Sequence, residues 1–214
     1  MCWVFDAFPD LSSVIAEHGT PRFVLHSETA DPDGLAQWQR TAAERRGEIV
    51  FCVRRANGGL LLHTKRHYPA GTFRLLSGGI QHGESLSAAL AREGKEELGW
   101  RPRVVRFLAV LAYHWMLADT AVRFASFVLV VESSGADAFQ SPSPQDETEG
   151  ISGFRTVSIR NLKEVANQLA SLPLGIADTS AFSEGDWGRW GRFRAIVHRL
   201  VHETLAEDDL DALS

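Results

Sequence analysis

Apolar side chains recur at helical spacing in some stretches of this chain and run nearly unbroken in others, and the two patterns interleave along its length. Leu11, Val14 and Ile15 mark one face of a short helix over residues 10 to 18, closed by Gly19 and Pro21. A short strand, Arg22 to His26, follows. Asp31 and Pro32 read as the N-cap and first residue of a second helix reaching Arg46, with Leu35, Trp38 and Ala42 inward. Glu48 to Arg54 sets IVFCV between charges, a buried-strand pattern. Asn57-Gly58-Gly59 is a hairpin signal, after which Leu60 to Lys65 returns antiparallel. Thr72 to Leu76 reads as a further strand, feeding a glycine-rich turn around Gly78.

Beyond that turn, Leu86, Ala89, Leu90 and Leu98 keep helical spacing, which predicts a helix over residues 85 to 98 with Ser85 as N-cap and Gly99 as its left-handed stop. Pro102 blocks continuation. Val104 to Met116 and Val122 to Val131 are long apolar strands joined around Ala118 to Thr120, the expected centre of a sheet. Residues 132 to 150 lose apolar content and read as a loop, followed by a strand from Phe154 to Ile159. Asn161 to Ser171 is amphipathic through Leu162, Val165, Ala166 and Leu169. A capping box, Ser183 to Asp186, opens a last helix striped with Trp187, Trp190, Phe193, Val197, Leu200 and Val201, an expected core or dimer seam. Its acidic finish, Glu207 to Asp211, opposes the helix dipole and is expected to fray.

Length and charge narrow the possibilities. At 214 residues the chain suits one domain with terminal additions. A net charge of −5 disfavours generic binding to nucleic acid or anionic membrane, and no DNA-binding helix-turn-helix is evident. Cys2 and Cys52 are too few for a disulfide framework or zinc cluster, which fits a reducing compartment. The first ten residues lack a secretory pattern, and the most apolar stretch is broken by Arg106, His114, Asp119 and Arg123. A cytoplasmic protein is expected.

The chemistry concentrates in Gly78 to Trp100, GGIQHGESLSAALAREGKEELGW. Side chains three and four apart share a helix face, so Glu93, Glu96 and Glu97 should converge. Like charges at that spacing cost roughly 0.2 to 0.5 kcal/mol per pair, and Gly94 adds up to about 1 kcal/mol against alanine. Stability alone does not select such a helix; a hard divalent cation, which takes carboxylate oxygens, rationalises it. The competing reading is a solvated acidic face balanced by Arg92 and Lys95. The glycines at 78, 79 and 83 favour the cation, because a turn feeding a helix N-terminus offers carbonyls to a metal and amides to phosphate.

These residues resemble the Nudix hydrolases, whose signature is Gly, any five, Glu, any seven, Arg-Glu, an apolar residue, any one, Glu-Glu, any one, Gly and an apolar residue. Here it is filled by Gly78, Glu84, Arg92, Glu93, Glu96, Glu97, Gly99 and Trp100, with Gly94 standing where the family prefers an apolar side chain. The resemblance implies an α/β fold, an α/β/α sandwich with a mixed sheet, that hydrolyses a nucleoside diphosphate linked to another moiety. It implies that Glu93 and Glu97 ligate Mg²⁺ or Mn²⁺, with Glu96 a further ligand or a base and the Gly78 carbonyl a possible addition. Arg92 and Glu84 would brace the loop against the helix, and Gly94 questions how firmly that helix packs. Residues 47–172 would form the core, 1–46 an N-terminal extension that packs, dimerises or closes over substrate, and 173–214 a C-terminal helical tail.

Outside the signature, Lys65 and Arg66 are candidate phosphate contacts or ordinary surface cations. Trp115 is a candidate for stacking on a base, with core packing as the alternative. Family members often place an acidic residue in a loop after the central strands as base or extra ligand; Glu149 is the preferred candidate, with Glu147 or a simply solvated loop as alternatives. Two rival functions remain: a module that senses a nucleotide-like ligand without cleaving it, and an isoprenyl diphosphate isomerase. The retained glutamates argue against the first, and Cys52 in a buried strand without its motif argues against the second. The marks of NADH pyrophosphatases, ADP-ribose hydrolases and coenzyme A hydrolases are absent, so the substrate stays open.

Overall fold

The protein is described by a computed structural model over residues 2–132, 150–175 and 186–211. Its strands and helices divide into two compact units. The first holds residues up to Cys52 together with those from Ser77 to the end of the central hairpin; the second holds 53–76 and the described residues from Gly150 onward.

In the first unit the chain begins with helices α1 (Trp3–Ala7) and α2 (Leu11–His18) and strand β1 (Arg22–Thr29). Helix α3 (Pro32–Glu44) starts where the sequence predicts: the Asp31 carboxylate accepts the Gly34 amide at 2.7 Å, and Pro32 stands at a position that needs no donor. Strand β2 (Gly47–Arg54) follows, then β4 (Arg74–Ile80), α4 (Leu86–Leu98), β5 (Arg103–Leu117) and β6 (Thr120–Glu132), with β3 (Leu60–Lys65) between β2 and β4 in sequence. Within this unit the strand order is β1-β5-β6-β2-β4. β1 lies parallel to β5, while β5 and β6 form a long antiparallel hairpin whose turn is closed by Ala118 at φ 50°. Phe107, Tyr113, Phe124 and Phe127 are fully or almost fully buried, placing the core along this hairpin.

The second unit contains β3, the first residues of β4, strand β7 (Ile151–Val157) and helices α5 (Leu162–Ala170) and α6 (Trp187–Asp211). β3 pairs antiparallel with both β4 and β7. α5 buries Leu162, Val165, Ala166 and Leu169. α6 buries Trp190, Phe193, Val197, Leu200 and Val201, as the periodicity predicts, and stays helical to Asp211. Ser183, half of the expected capping box, and the loop from 133 to 149 lie outside the described residues.

One boundary differs from expectation in a way that matters. The strand anticipated to stop at Leu76 continues through Ser77, Gly78 and Gly79 to Ile80, so these glycines are extended strand and not turn. The turn falls at residues 82 and 83, where Gly83 has φ +81°.

Candidate functional site

The site is built on α4 and the strand end that faces it, all within the first unit. Helix α4 is fixed at both ends by the residues the sequence singles out: Ser85 Oγ accepts the Ala88 amide at 3.1 Å, and Gly99 closes the helix at φ 84°. A contribution from the N-terminal segment was not legible in the pattern. The Asp10 carboxylate accepts the Leu86 and Ser87 amides, each at 3.2 Å. These first-turn donors are therefore spent inside the protein.

Glu93 and Glu97 lie one helical turn apart on the buried face of α4, 6% and 1% exposed. Gly78 explains how Glu93 fits. A Cβ at position 78 would stand 1.7 Å from Glu93 Oε2, so the carboxylate rests against bare backbone. Burial raises the Glu93 pKa to about 7, with Glu97 and Glu96 pushing the same way and Arg92 opposing.

Arg92 ties the site together. Its Nε and Nη2 donate to the two Glu84 oxygens at 2.8 Å each, Nη1 donates to Glu93 Oε1 at 2.7 Å and to Glu96 Oε2 at 2.8 Å, and Nη2 also reaches the Gly79 carbonyl at 2.8 Å. The guanidinium holds the Glu84 carboxyl below its usual range. Glu84 in turn accepts the Gln81 amide at 3.0 Å, which fixes the turn before α4. Arg92 and Glu84 are thus bonded to each other and to the backbone of the strand end and turn ahead of the helix.

Among the described residues no set of three or more His, Cys, Asp or Glu side chains is arranged to hold a metal ion. Arg92 engages Glu93 and Glu96 together, and Glu96 is the more exposed of the two. The donor set nevertheless fits a hard divalent cation. Two buried carboxylates, of which Glu97 raises the cost of ionising Glu93 and Glu93 is pressed against a glycine backbone, are stabilised by a positive ion beside them.

Gly94 replaces an apolar residue for a steric reason. A Cβ there would lie 2.2 Å from Pro102 Cδ, so the proline packs directly on the helix. The helix packing that Gly94 brings into question is a close contact with Pro102 at this position.

Other sequence candidates are placed as follows. Trp115 is 2% exposed and stacks on Trp38 at 4.0 Å with 5° between the planes, and on Tyr113 at 5.0 Å with 8°. Its ring is packing in the core and offers no open face to a base, because α3 supplies the partner that a strand tryptophan needs. Lys65 and Arg66 belong to the second unit at the end of β3; Arg66 is exposed and its amide donates to the Gly150 carbonyl at 2.9 Å. Glu149 and Glu147 lie outside the described residues. Cys52 is wholly buried in β2, and burial pushes its thiol up.

Glu48 is a residue the sequence reading passed over as a flanking charge. It is fully buried, accepting from Ser126 Oγ at 2.8 Å and from Ser77 Oγ at 3.5 Å, and so braces the strand position next to Gly78. The only signal was a charge at the head of an apolar strand.

Among the described residues no helix is long and apolar enough to cross a membrane. No curated protein matches the chain. Solved structures similar to part of it include the E. coli dihydroneopterin triphosphate pyrophosphohydrolase, at 12% identity over 58% of this chain and 86% of that one, with a TM-score of 0.43. MutT NUDIX hydrolase from Burkholderia pseudomallei matches at 20% over 54% and 84%, with 0.37, and a NUDIX hydrolase from Nitrosomonas europaea at 20% over 58% and 79%, with 0.39. At these scores the likenesses add no argument of their own. The NUDIX domain profile, however, matches residues 44–174, more than half of the 214, and this chain therefore belongs to the NUDIX family.

Proposed function

We propose that this protein hydrolyses a phosphoanhydride bond of a nucleoside diphosphate linked to a second moiety. Family membership supports a hydrolase of pyrophosphate bonds. The single observation that carries the residue assignment is the buried pair Glu93 and Glu97 on one face of α4, with Glu93 seated on Gly78.

Glu93 and Glu97 would hold Mg²⁺ or Mn²⁺, with the Gly78 carbonyl as a further oxygen donor. When bound, such an ion polarises phosphoryl oxygens and lowers the pKa of water. Arg92 orients the Glu93 and Glu96 carboxylates through its two Nη1 contacts. Glu96, with its side chain 36% exposed, is the carboxylate that takes the proton of the attacking water. Glu84 and the Gln81 amide keep the turn in register with the helix. Glu149 is the alternative base.

The test is turnover of a panel of nucleoside triphosphates, NADH, ADP-ribose and dinucleoside polyphosphates with Mg²⁺, by wild type and Glu97→Gln. We expect at least one substrate to be cleaved, and the variant to lose about 10²-fold or more in kcat. Equal turnover by the variant would remove Glu97 from the mechanism.

A further inference from the structure

β1 is the end strand of its unit, paired on one side with β5 and, among the described residues, with no strand on the other. It is eight residues long and largely open to solvent. Leu25 at its centre is 49% exposed, and Phe5 of α1, 42% exposed, stacks on Phe23 beside it at 5.8 Å. A long strand edge with apolar side chains is a template for another strand.

The direction of its main-chain groups follows from the parallel register. The Ala30 amide donates to the Met116 carbonyl at 2.8 Å, and Thr29 is the register partner of Met116. In a parallel pair alternate residues turn both their N–H and C=O to the same neighbour. The even-numbered residues of β1 thus bond to β5, and Phe23, Leu25, Ser27 and Thr29 direct their amides and carbonyls outward.

The sequence of this strand is complementary to itself when reversed. With Leu25 opposite Leu25, Phe23 meets Ser27, Val24 meets His26 and Arg22 meets Glu28. Leu25 and the Phe23–Ser27 pairs then occupy hydrogen-bonded positions, which use the outward groups. Arg22 and Glu28 fall at a non-hydrogen-bonded position, where side chains come closest. Sliding the register by two residues sets Arg22 against His26 or Ala30 and loses this match.

We propose that the free edge of β1 joins two copies of this chain, paired antiparallel about a two-fold axis through Leu25. Leu25 exchanges both main-chain bonds with the partner's Leu25, and Phe23 exchanges both with Ser27 of the partner subunit. Arg22 forms an ion pair with Glu28 of the partner subunit, and the symmetry repeats that pair. Glu28, 58% exposed and 3.3 Å from His26 in the single chain, is accessible for it. Phe5 and Phe23 of each copy flank the central leucines on one face.

The test is sedimentation equilibrium of the full chain over a range of concentrations. Wild type should show a reversible monomer–dimer equilibrium. Arg22→Glu should weaken it about ten-fold by setting like charges opposite each other, and Arg22→Glu with Glu28→Arg should restore it. In a Cys2→Ser background, Leu25→Cys should cross-link into a disulfide dimer on mild oxidation, because facing residues at such a pair are within disulfide reach, whereas Glu28→Cys should not. These substitutions are on the surface and should leave the fold intact, as circular dichroism would check. A wild-type chain that stays monomeric throughout, a double variant no tighter than the single one, or equal cross-linking at the two positions would overturn the proposal.

Discussion

The Glu93 carboxylate occupies the space that any side chain at position 78 would need: Oε2 lies 1.7 Å from the site of a Cβ on Gly78. Gly78→Ala should therefore displace Glu93 and cost about 1 to 3 kcal/mol of stability, as overpacking does. Activity should fall by about 10²-fold, since a carboxylate moved by an ångström no longer meets its target. Thermal melts and steady-state kinetics on the same preparation check both.

Burial of Glu93 gives the metal-free protein a pH dependence of definite sign. Its folded pKa, about 7, stands above the ordinary 4.5, so the folded state keeps a proton that the unfolded chain releases. The associated stability is complete below about pH 4.5 and is lost as pH rises through about 7, on the order of 3 kcal/mol in total. Urea unfolding in chelator at pH 5 and pH 8 should show most of that difference, and Glu93→Gln should flatten it. Mg²⁺ should restore stability preferentially at the higher pH, where the carboxylate is ionised.

Arg92 serves four partners with one planar group, so lysine should not replace it. Arg92→Lys retains the charge but cannot span Glu84, Glu93, Glu96 and the Gly79 carbonyl together. We expect a loss of about 2 kcal/mol and at least ten-fold in kcat, measured by denaturant midpoint and turnover.

Gly94 and Pro102 should behave as a coupled pair. Gly94→Leu, which restores the family's preferred residue type, collides with Pro102 at 2.2 Å and should cost about 1 to 3 kcal/mol despite a better helix propensity. Gly94→Ala in a Pro102→Ala background should recover most of the loss of Gly94→Ala alone. A double-mutant cycle on unfolding free energy measures it.

In the second unit, the Leu75 amide donates to His198 Nε2 at 2.9 Å, so Nδ1 carries the proton that goes to the Arg194 carbonyl at 2.6 Å. His198→Phe leaves a buried strand amide without its acceptor. A destabilisation of about 1 to 3 kcal/mol should appear in chemical denaturation.

The caps were readable because they are local. Asp31 to Gly34, Ser85 to Ala88 and Gly99 depend on neighbours within one turn, and the structure places each where the pattern does. The apolar runs likewise gave the β5–β6 hairpin almost to the residue. What escaped the pattern depends on partners distant along the chain. Gly78 and Gly79 looked like a turn because glycine suggests freedom, yet strand β4 uses Gly78 to admit Glu93, fifteen positions on. Asp10 capping α4, Glu48 buried beside Ser77 and Trp38 covering Trp115 are of the same kind. Spacing alone placed the three glutamates on one helix face; only the structure shows that a single nitrogen of the Arg92 fork bonds both Glu93 and Glu96.

The opening segment is bound into the rest of its unit by Asp10 at the head of α4, Trp38 on Trp115 and β1 along β5. A gene trimmed to start at residue 44, where the family match begins, would strip all three at once. The shortened polypeptide would carry a naked indole and a raw strand border, and should accumulate as inclusion bodies instead of a working core.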